Sequence, residues 1–416
     1  MKQPSPAIFA FAATIAACDS DPAREPLPPR DQCVLAVVAS DFSSTAVSLL
    51  TSDGSLCAPD IITSGSRPPG LLTALSGDVV LPSEPDPAGL LHVLDRYPNG
   101  VVTTVDPTTS EVLAQLAVGT LSDPHDIAFI DGPPSILLTR MEYTDPSTTT
   151  QGSDLLRVPF ATSDTTRVDL TAYADRPRIP GQPDYDPMPD RFARATNRLW
   201  VGLTHLTSDF KRAAPGRALA LDPTTLAVTH TLDLAPLQNC GTIAASAADA
   251  GLWVVCSGLF RANPSGPQIA FSGLAWLAPA LPAGSAASPT WLRRAADLHP
   301  EDVEARPLGF TLAALDDEHA IVVALGDLAT DLPDRLLLVS RRAGTVVSIA
   351  ESRAAYEFGA VLPRPNERLI LVADGNPYDP RVRRFTWPTA TDPIEELDPV
   401  DISPSGLPPR HLAVFR

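Results

Sequence analysis

The sequence predicts an all-β protein, and three features support this prediction. Short apolar runs rich in valine, leucine and isoleucine alternate with turns of proline, glycine, aspartate, asparagine and threonine, as in half-buried strands. The 45 prolines among 416 residues exclude a mostly helical chain, because each proline removes a backbone donor and clashes with the preceding turn. A hydrophobic content of 44% excludes disorder. The formal net charge of -18 argues against nucleic acid as a partner, since phosphate binding needs a basic surface.

A long internal repeat organises these strands. Residues 100–130 and 216–234 share a strand, the turn Asp-Pro-Thr-Thr and a second strand. Asp-Pro opens a tight turn because proline fixes φ and the aspartate accepts hydrogen bonds from the backbone beyond it. In the first copy a proline-containing loop and two further strands follow. The repeating unit therefore has four strands, as in repeat architectures whose units share a continuous core.

The number of units follows from the inner strand of each unit. We place the inner strands at residues 70–75, 125–130, 190–195, 241–246, 309–315, 358–362 and 411–415. The last one lacks outer partners, whereas the strands at 34–62 lack an inner one. Joining the two ends into one blade removes both deficiencies and closes the sheet edges. The sequence thus predicts a seven-bladed β-propeller over residues 33–416, with N- and C-terminal strands sharing one blade. A pair of β-sandwich domains is the alternative.

The repeat also resembles a known family. Residues 100–130, GVVTTVDPTTSEVLAQLAVGTLSDPHDIAFI, are similar to the YVTN-type β-propeller repeat, in which a strand pair ending in Val-Gly precedes Pro-His and an inner strand. The segment 198–234 is the other close match. The resemblance implies a fold and no single activity.

Long connections are concentrated on one face of the predicted ring. The turns between first and second strands and between third and fourth strands share a face and are short, and the remaining connections lie on the opposite face. These are long, at residues 141–153, 173–190, 204–216, 257–272, 326–334 and 373–381. Loops on a rigid scaffold often carry binding, so we take this loop-rich face as the candidate binding face. The alternative is that the insertions are merely tolerated, because added loop length costs little entropy.

Polar residues mark the axial opening of the predicted ring. The starts of inner strands and the positions beside them carry His125, Asp126, Asp190, Arg191, Arg410 and His411. Because inner strands meet at the axis, we expect these residues to surround its opening, where they could bind a ligand. The alternative is that they are solvated groups lining a water-filled channel.

The sequence predicts no cofactor, since it has no phosphate loop, no haem-attachment motif and no histidine pair at metal-ligand spacing. The loop PDYDPMPD has alternating carboxylates, Asp184 and Asp186 followed by Asp190, of the kind that a hard cation such as calcium accepts. It lacks the glycine and terminal glutamate of an EF-hand loop. A solvated acidic loop is therefore the alternative to a metal site.

The N-terminal segment predicts export. Residues 7–17 (AIFAFAATIAA) are apolar but too few to span a bilayer, and they fit the apolar region of a secretory signal. They end in Ile-Ala-Ala before Cys18, which resembles the lipobox of bacterial lipoproteins. The resemblance implies removal of residues 1–17 and acylation of Cys18, with the proline-rich residues 18–32 as a tether. The alternative is an ordinary signal peptide, with Cys18 a free thiol.

Four cysteines remain when Cys18 is set aside, an even number that indicates two disulfides in an exported chain. Cys240 and Cys256 flank the turn of one predicted hairpin, so they would lie almost opposite each other. Cys33 and Cys57 would then pair and tie the start of the closing blade to its outer strand. Four buried reduced thiols are the alternative.

These features predict a lipoprotein of the bacterial envelope, facing the periplasm or the cell surface. We expect a monomeric, non-catalytic scaffold or recognition module that uses its loop-rich face. Its partners would be the membrane, through the lipid, and an envelope protein or an extracellular ligand. The sequence contains no Gly-x-Ser-x-Gly motif. Propeller active sites assemble from distant blades, however, so the alternative is a hydrolase or oxidoreductase with its site at His125, Asp190 and His411.

Overall fold

The structure is a computed structural model that describes residues 26–143, 152–160, 164–175, 184–247, 249–259, 266–281, 286–299, 304–388, 394–402 and 404–416. The predicted signal segment and Cys18 lie outside the described residues, as do parts of the long loops. Strands make up most of the secondary structure, and they form seven separate sheets.

In chain order the strands of the N-terminal half are β1 (Cys33–Ser40), β2 (Thr45–Thr51), β3 (Leu56–Thr63), β4 (Val79–Val80), β5 (Leu91–Asp95), β6 (Val101–Val105), β7 (Val112–Ala117), β8 (Pro124–Asp131), β9 (Pro134–Tyr143), β10 (Gly152–Pro159), β11 (Thr166–Val168), β12 (Pro189–Ala195), β13 (Arg198–Leu203), β14 (Pro215–Leu221) and β15 (Val228–Gln238). Those that follow are β16 (Thr242–Ala244), β17 (Leu252–Ser257), β18 (Ser272–Leu277), β19 (Ala286–Ala287), β20 (Trp291–Arg294), β21 (Leu308–Ala314), β22 (His319–Ala324), β23 (Arg335–Ser340), β24 (Thr345–Glu351), β25 (Phe358–Arg364), β26 (Leu369–Asp374), β27 (Arg381–Thr386), β28 (Glu396–Asp401) and β29 (Pro409–Val414).

The helices are short. Over the described residues they are one α-helix, α1 (Gly266–Phe271), and three 3-10 helices at Arg30–Gln32, Thr171–Tyr173 and Ala295–Asp297. Within the described part of the chain, none has both the length and the hydropathy needed to cross a membrane.

The seven sheets are blades arranged as a ring. Six follow the order of the chain, namely β4 to β7, β8 to β11, β12 to β15, β16-β17-β18-β20, β21 to β24 and β25 to β28. The seventh has the order β29-β1-β2-β3, and the short strand β19 adds to β15 in parallel. Contacts between neighbouring blades run from β5 and β8 through β12, β16, β21 and β25 to β29. A contact between β1 and β4 completes the circle, which confirms the predicted seven-bladed propeller.

The blade that contains both terminal strands closes the ring. Val37 of β1 is paired with Leu412 of β29, and Leu35 is paired with Val414. Past the end of β29, the Arg416 guanidinium donates to the carbonyl oxygen of the first residue of β1 at 2.7 Å. The prediction that the N- and C-terminal strands share one blade is therefore confirmed.

One inner strand lies later in the chain than predicted. The sequence placed it at 70–75, but this run has no strand, and the inner strand of that blade is β4, where Val79 pairs with Asp95. The earlier run lies instead against the outermost strand of the same blade. There the side-chain carbonyl of Gln115 on β7 accepts the backbone N–H of Leu72 at 2.8 Å. The prediction was wrong because it took apolar residues as a sign of a buried inner strand, whereas Leu72 in this run is exposed.

The core is divided into wedges between neighbouring blades. Between the blade of β8 to β11 and the blade of β12 to β15, for example, Leu137 and Leu155 pack with Leu199 and Val201. All four are buried. The middle strands β17 and β22 are buried along almost their whole length, because each face of such a strand contacts a neighbouring blade. This explains why they read as continuous apolar runs rather than alternating ones.

The Asp-Pro-Thr-Thr turns form by the mechanism that the sequence predicted. The side chain of Asp106 accepts the backbone N–H of Thr108 at 2.8 Å, and that of Asp222 accepts the N–H of Thr225 at 2.8 Å. These amide hydrogen bonds hold the pKa of both carboxyls below the ordinary value. Both turns join the third and fourth strands of a blade.

Both predicted disulfides are present. The bond between Cys33 and Cys57 joins the start of β1 to β3, two strands that β2 separates in the sheet. The bond between Cys240 and Cys256 joins the loop before β16 to β17.

Removing residues 409–416 tests the closure. The deletion removes β29, so β1 becomes an unpaired inner edge of an incomplete blade. We expect the truncated chain to aggregate and to lose its cooperative thermal transition, as measured by size-exclusion chromatography and circular dichroism. Leu412→Asp should act similarly because Leu412 is buried, whereas Val347→Asp on the exposed part of β24 should be tolerated. A monodisperse truncated protein with a cooperative transition would contradict the closure.

Candidate functional site

A large cavity runs along the axis of the ring. Its volume is about 1420 Å³, and residues of all seven blades line it. The lining residues come from both ends of the inner strands, as shown by His125 and Asp131 at the two ends of β8. The cavity is therefore the axial channel of the propeller.

Five of the six predicted polar residues line this channel, namely His125, Asp190, Arg191, Arg410 and His411. All five lie within the first three residues of β8, β12 or β29. Because the inner strands run in the same direction through the ring, their starts lie on the same face. This is the face that carries the connections between blades.

The opening of the channel on this face, where the inner strands start, is called the mouth below. At the mouth, His125 is held between two carboxylates. Its Nδ1 lies 2.7 Å from Asp190 Oδ1, and its Nε2 lies 3.0 Å from Asp123 Oδ2. Burial alone would lower the pKa of His125, but the carboxylates, above all Asp123, raise it to about 9. Burial also raises the pKa of Asp123, yet His125 and Arg96 lower it to about 2. At neutral pH the imidazole is therefore a cation, and both of its nitrogens serve as donors.

Arg96 brings a further positive charge to His125. Its Nε donates to Asp78 Oδ1 at 2.9 Å, and its Nη1 lies 3.1 Å from His125 Nε2. Burial lowers the pKa of Arg96, but the negative charges of Asp123 and Asp78 outweigh that effect and raise it. The mouth therefore alternates acidic and basic groups in a partly desolvated setting, where charges interact more strongly than in water.

Glu142 is a titratable neighbour of this network. It lies near the end of β9, where burial, followed by the negative charge of Asp123, raises its pKa to about 7. Sequence reasoning missed Glu142, Arg96 and Asp123. Only Asp123 had a local signal, since it opens the Asp-Pro-His segment whose proline and histidine begin β8.

Asp126 has a different environment from the one predicted. It does not line the channel, and its buried carboxylate accepts backbone amides from two other blades as well as its own. Ser83 donates to Oδ1 at 2.7 Å, Phe192 donates to Oδ2 at 2.8 Å and Ile127 donates to Oδ1 at 2.9 Å. Asp126 therefore fastens three blades together rather than presenting a charge to a ligand.

Arg191 links its own blade to two others at the channel wall. Its Nη1 donates to the carbonyl oxygens of Leu81 at 3.1 Å and His125 at 2.9 Å, and its Nε lies 3.8 Å from Asp190 Oδ1. These bonds orient the side chain while leaving it at the channel surface.

Arg410 and His411 complete the mouth. Arg410 donates from Nε to the carbonyl oxygen of Ser40 at 3.3 Å and from Nη1 to that of Tyr356 at 3.0 Å. Burial, followed by the positive charges of Arg191 and Arg96, holds the pKa of His411 well below its ordinary value. His411 is therefore a neutral imidazole at the edge of the channel, in contrast to the charged His125.

The wall of the channel is largely apolar. Three phenylalanines that line it are also strongly exposed: Phe42 (69%), Phe310 (52%) and Phe210 (40%). Phe42 and Phe210 lie in loops of the mouth, whereas Phe310 lies on the inner strand β21. Exposed aromatic side chains around a concave apolar surface are typical of ligand pockets.

The three aspartates of the acidic loop that was predicted as a metal site do not lie together. Asp190 faces His125, whereas Asp184 is exposed. The backbone N–H of Asp186 donates to the carbonyl oxygen of Leu206 at 2.8 Å. Over the described residues, no three His, Cys, Asp or Glu side chains form a group that could hold a metal ion.

Comparisons with known proteins support the fold. No protein-family model and no curated protein sequence matches the chain. A putative 6-phosphogluconolactonase from Bacteroides fragilis is similar in structure, with a TM-score of 0.56 and 10% identity over 93% of this chain and 99% of that one. A putative 6-phosphogluconolactonase from Bacteroides uniformis has a TM-score of 0.52 and 11% identity, over 92% and 99%. For the dihydro-heme d1 dehydrogenase NirN the values are 0.50 and 14%, over 95% and 77%. At these identities the likeness shows the fold alone.

The ionisation of His125 is open to direct measurement. Its raised pKa means that the charged imidazole stabilises the fold below about pH 6.5 and that this contribution is lost as pH rises towards 9. In a proton NMR titration we expect the ring signals of His125 to move near pH 9, whereas the His411 ring is neutral at neutral pH and its signals do not move between neutral pH and pH 9. Asp123→Asn should lower the pKa of His125 because it removes the main stabilising charge. A His125 pKa near 6.5 in the native protein would contradict the network.

Proposed function

We propose that this protein is an envelope lipoprotein that recognises a ligand at the mouth of its axial channel without transforming it. The observation that supports this most directly is the channel itself, a cavity of about 1420 Å³ with an apolar wall and a rim of oriented charges. Ligand pockets typically measure about 300–1,000 Å³ and combine an apolar lining with a few placed polar groups. The channel therefore has room for a ligand of drug size or larger.

The rim is suited to recognition because its charges are already positioned. His125 is fixed by two carboxylates, and Arg191 is fixed by two carbonyl oxygens. A ligand that binds such preorganised groups loses less affinity to their ordering than one that binds mobile side chains.

The position of the residues just before β1 supports an orientation in which the mouth points away from the membrane. β29 starts at the channel mouth and pairs antiparallel with β1, so β1 starts at the opposite face. Arg30, just before β1, donates to the carbonyl oxygen of Thr108 at 3.2 Å and to Ser110 Oγ at 2.6 Å, in the turn between β6 and β7. A lipid on Cys18 would therefore tether the ring from the face opposite the mouth, so the mouth would point away from the membrane.

The alternative is a hydrolase or an oxidoreductase with its site at the same mouth. His125 is poorly suited to act as a general base, because it is already protonated at neutral pH and both nitrogens are engaged. His411 is the better candidate base, since it is neutral and lines the channel. A metal or a quinone retained through purification would favour this alternative over recognition alone.

Binding of Nile red, a neutral apolar dye, tests whether the channel accepts ligands. We expect saturable, one-to-one fluorescence enhancement with the purified protein. Phe310→Ser should weaken binding about fivefold, because part of a phenylalanine contact, on the order of 1 kcal/mol, is lost. Phe160→Ser is the matched control, since Phe160 is similarly exposed but does not line the channel. Absence of saturable binding, or equal effects of the two substitutions, would contradict a channel site.

Replacing the lipid-bearing cysteine tests the anchor. Cys18→Ala removes the thiol that would carry the lipid, so we expect the protein to move from the membrane fraction to the soluble fraction after cell fractionation. Ser20→Ala is the control and should leave the protein with the membranes. Membrane retention of Cys18→Ala would contradict lipid anchoring without bearing on the channel.

A further inference from the structure

Arg410 differs from the other arginines of the channel in its lack of a counter-ion. The other three that line the cavity each form an ion pair with a carboxylate, Arg96 with Asp78, Arg191 with Asp190 and Arg194 with Glu84. Among the residues that the structure describes, no carboxylate forms an ion pair with Arg410, whose guanidinium bonds only to carbonyl oxygens. Carbonyl oxygens satisfy N–H donors, but they do not neutralise the net charge.

The Arg410 guanidinium is nonetheless held in one orientation. Two of its nitrogens donate to the carbonyl oxygens of Ser40 and Tyr356, and its central carbon lies 5.1 Å from the centre of the Phe42 ring. A Cβ atom on Gly375 would lie only 2.6 Å from Nη1. The chain therefore has a glycine where the guanidinium needs the space. Within the described part of the chain, Nη2 has no hydrogen-bond partner, so one edge of the fork remains for a ligand.

A bulge in β29 lets two successive residues, Arg410 and His411, both face the channel. Successive residues of a regular strand point to opposite sides. Here Val38 pairs with His411 and Ala39 with Pro409, so Arg410 is an extra residue without a partner of its own. Bulges re-aim side chains in this way, and both Arg410 and His411 line the channel. In the described residues the His411 ring makes no hydrogen bond, so its N–H is available to a ligand oxygen.

An anion at this position would offset a desolvated charge. Burial lowers the pKa of Arg410, although Glu357 and Asp334 act at longer range in the opposite direction. A partly buried cation without an ion-pair partner costs free energy, and a bound anion recovers part of that cost. Because Glu357 and Asp334 already bring negative charge to this region, a ligand with two negative charges is disfavoured. A carboxylate monoanion fits this arrangement best, because its two oxygens can accept from Nη2 of Arg410 and from the N–H of His411.

The surroundings of Arg410 specify the rest of the ligand. The exposed ring of Phe42 stands beside the guanidinium, and the half-exposed Phe310 lies further along the wall. We propose that the channel takes an apolar or aromatic carboxylate, whose carboxylate binds Arg410 and His411 and whose hydrocarbon body lies against Phe42 and Phe310. This inference rests on the proposed channel function and names the class of its ligand.

A pair of isosteric probes tests the inference. By isothermal titration calorimetry, 2-naphthoate should bind at least about tenfold more tightly than neutral 2-naphthamide, as expected for a charge-assisted bidentate contact. In Arg410→Gln the affinity for the naphthoate should fall about tenfold or more, while that for the amide changes less than about twofold. Arg353→Gln is the matched control. Arg353 lies beside Tyr378 rather than on the channel, so both affinities should stay unchanged.

Each outcome separates the ligand class from the channel function. Equal binding of naphthoate and naphthamide, both displacing Nile red, would overturn the carboxylate inference and leave the channel function intact. Failure of both to displace bound Nile red would also overturn it. Absence of Nile red binding would instead remove the proposed function. If Arg410→Gln does not fold, Arg410→Lys keeps the charge but loses the fork, and the naphthoate should then lose affinity while the amide does not.

Discussion

The pairing of β29 with β1 is the constraint on which the rest of the structure depends. A propeller blade buries its faces only against neighbouring blades, so an open ring leaves two blades each with an uncovered face. The register of Val37 with Leu412 and of Leu35 with Val414 fixes the last inner strand. With that strand in place, Arg410 and His411 meet residues contributed by the other end of the chain, including Phe42. Closure and assembly of the mouth are thus one event.

The protonation state of each histidine at the mouth depends on its burial and on the charges that lie beside it. His125 lies between two carboxylates and keeps its proton, whereas burial, together with the surrounding cations, makes His411 lose its proton. Two imidazoles a short way apart along the same rim therefore present opposite properties, one a fixed cation and the other a neutral donor or acceptor. Among the described residues no carboxylate forms an ion pair with Arg410, which makes Arg410 the natural point of contact for an anionic ligand.

The features that could be predicted from the sequence are those that depend on local residue patterns and on the number of strands. Apolar runs, turn chemistry and the incomplete ends led to the closed ring, and the starts of inner strands located His125, Asp190, Arg410 and His411. The run at 70–75 was misplaced because apolar content does not reveal that Gln115 holds the chain against an outer strand. Arg96 and Glu142 had no local signal, since their roles depend on blades that meet only in the folded ring.

The disulfide between Cys33 and Cys57 has a mechanical consequence. Cys33 is the first residue of β1, so tension on the preceding segment that exceeds the hydrogen bonds of Arg30 is borne by the strand at this residue. The disulfide passes that load directly to β3, the outer strand of the same blade, while β1 is flanked by β2 and β29. Peeling β1 out of the ring would first require a covalent bond to break. A pull on the N-terminal segment therefore moves the propeller as one body, and the geometry of the distant mouth is preserved under load.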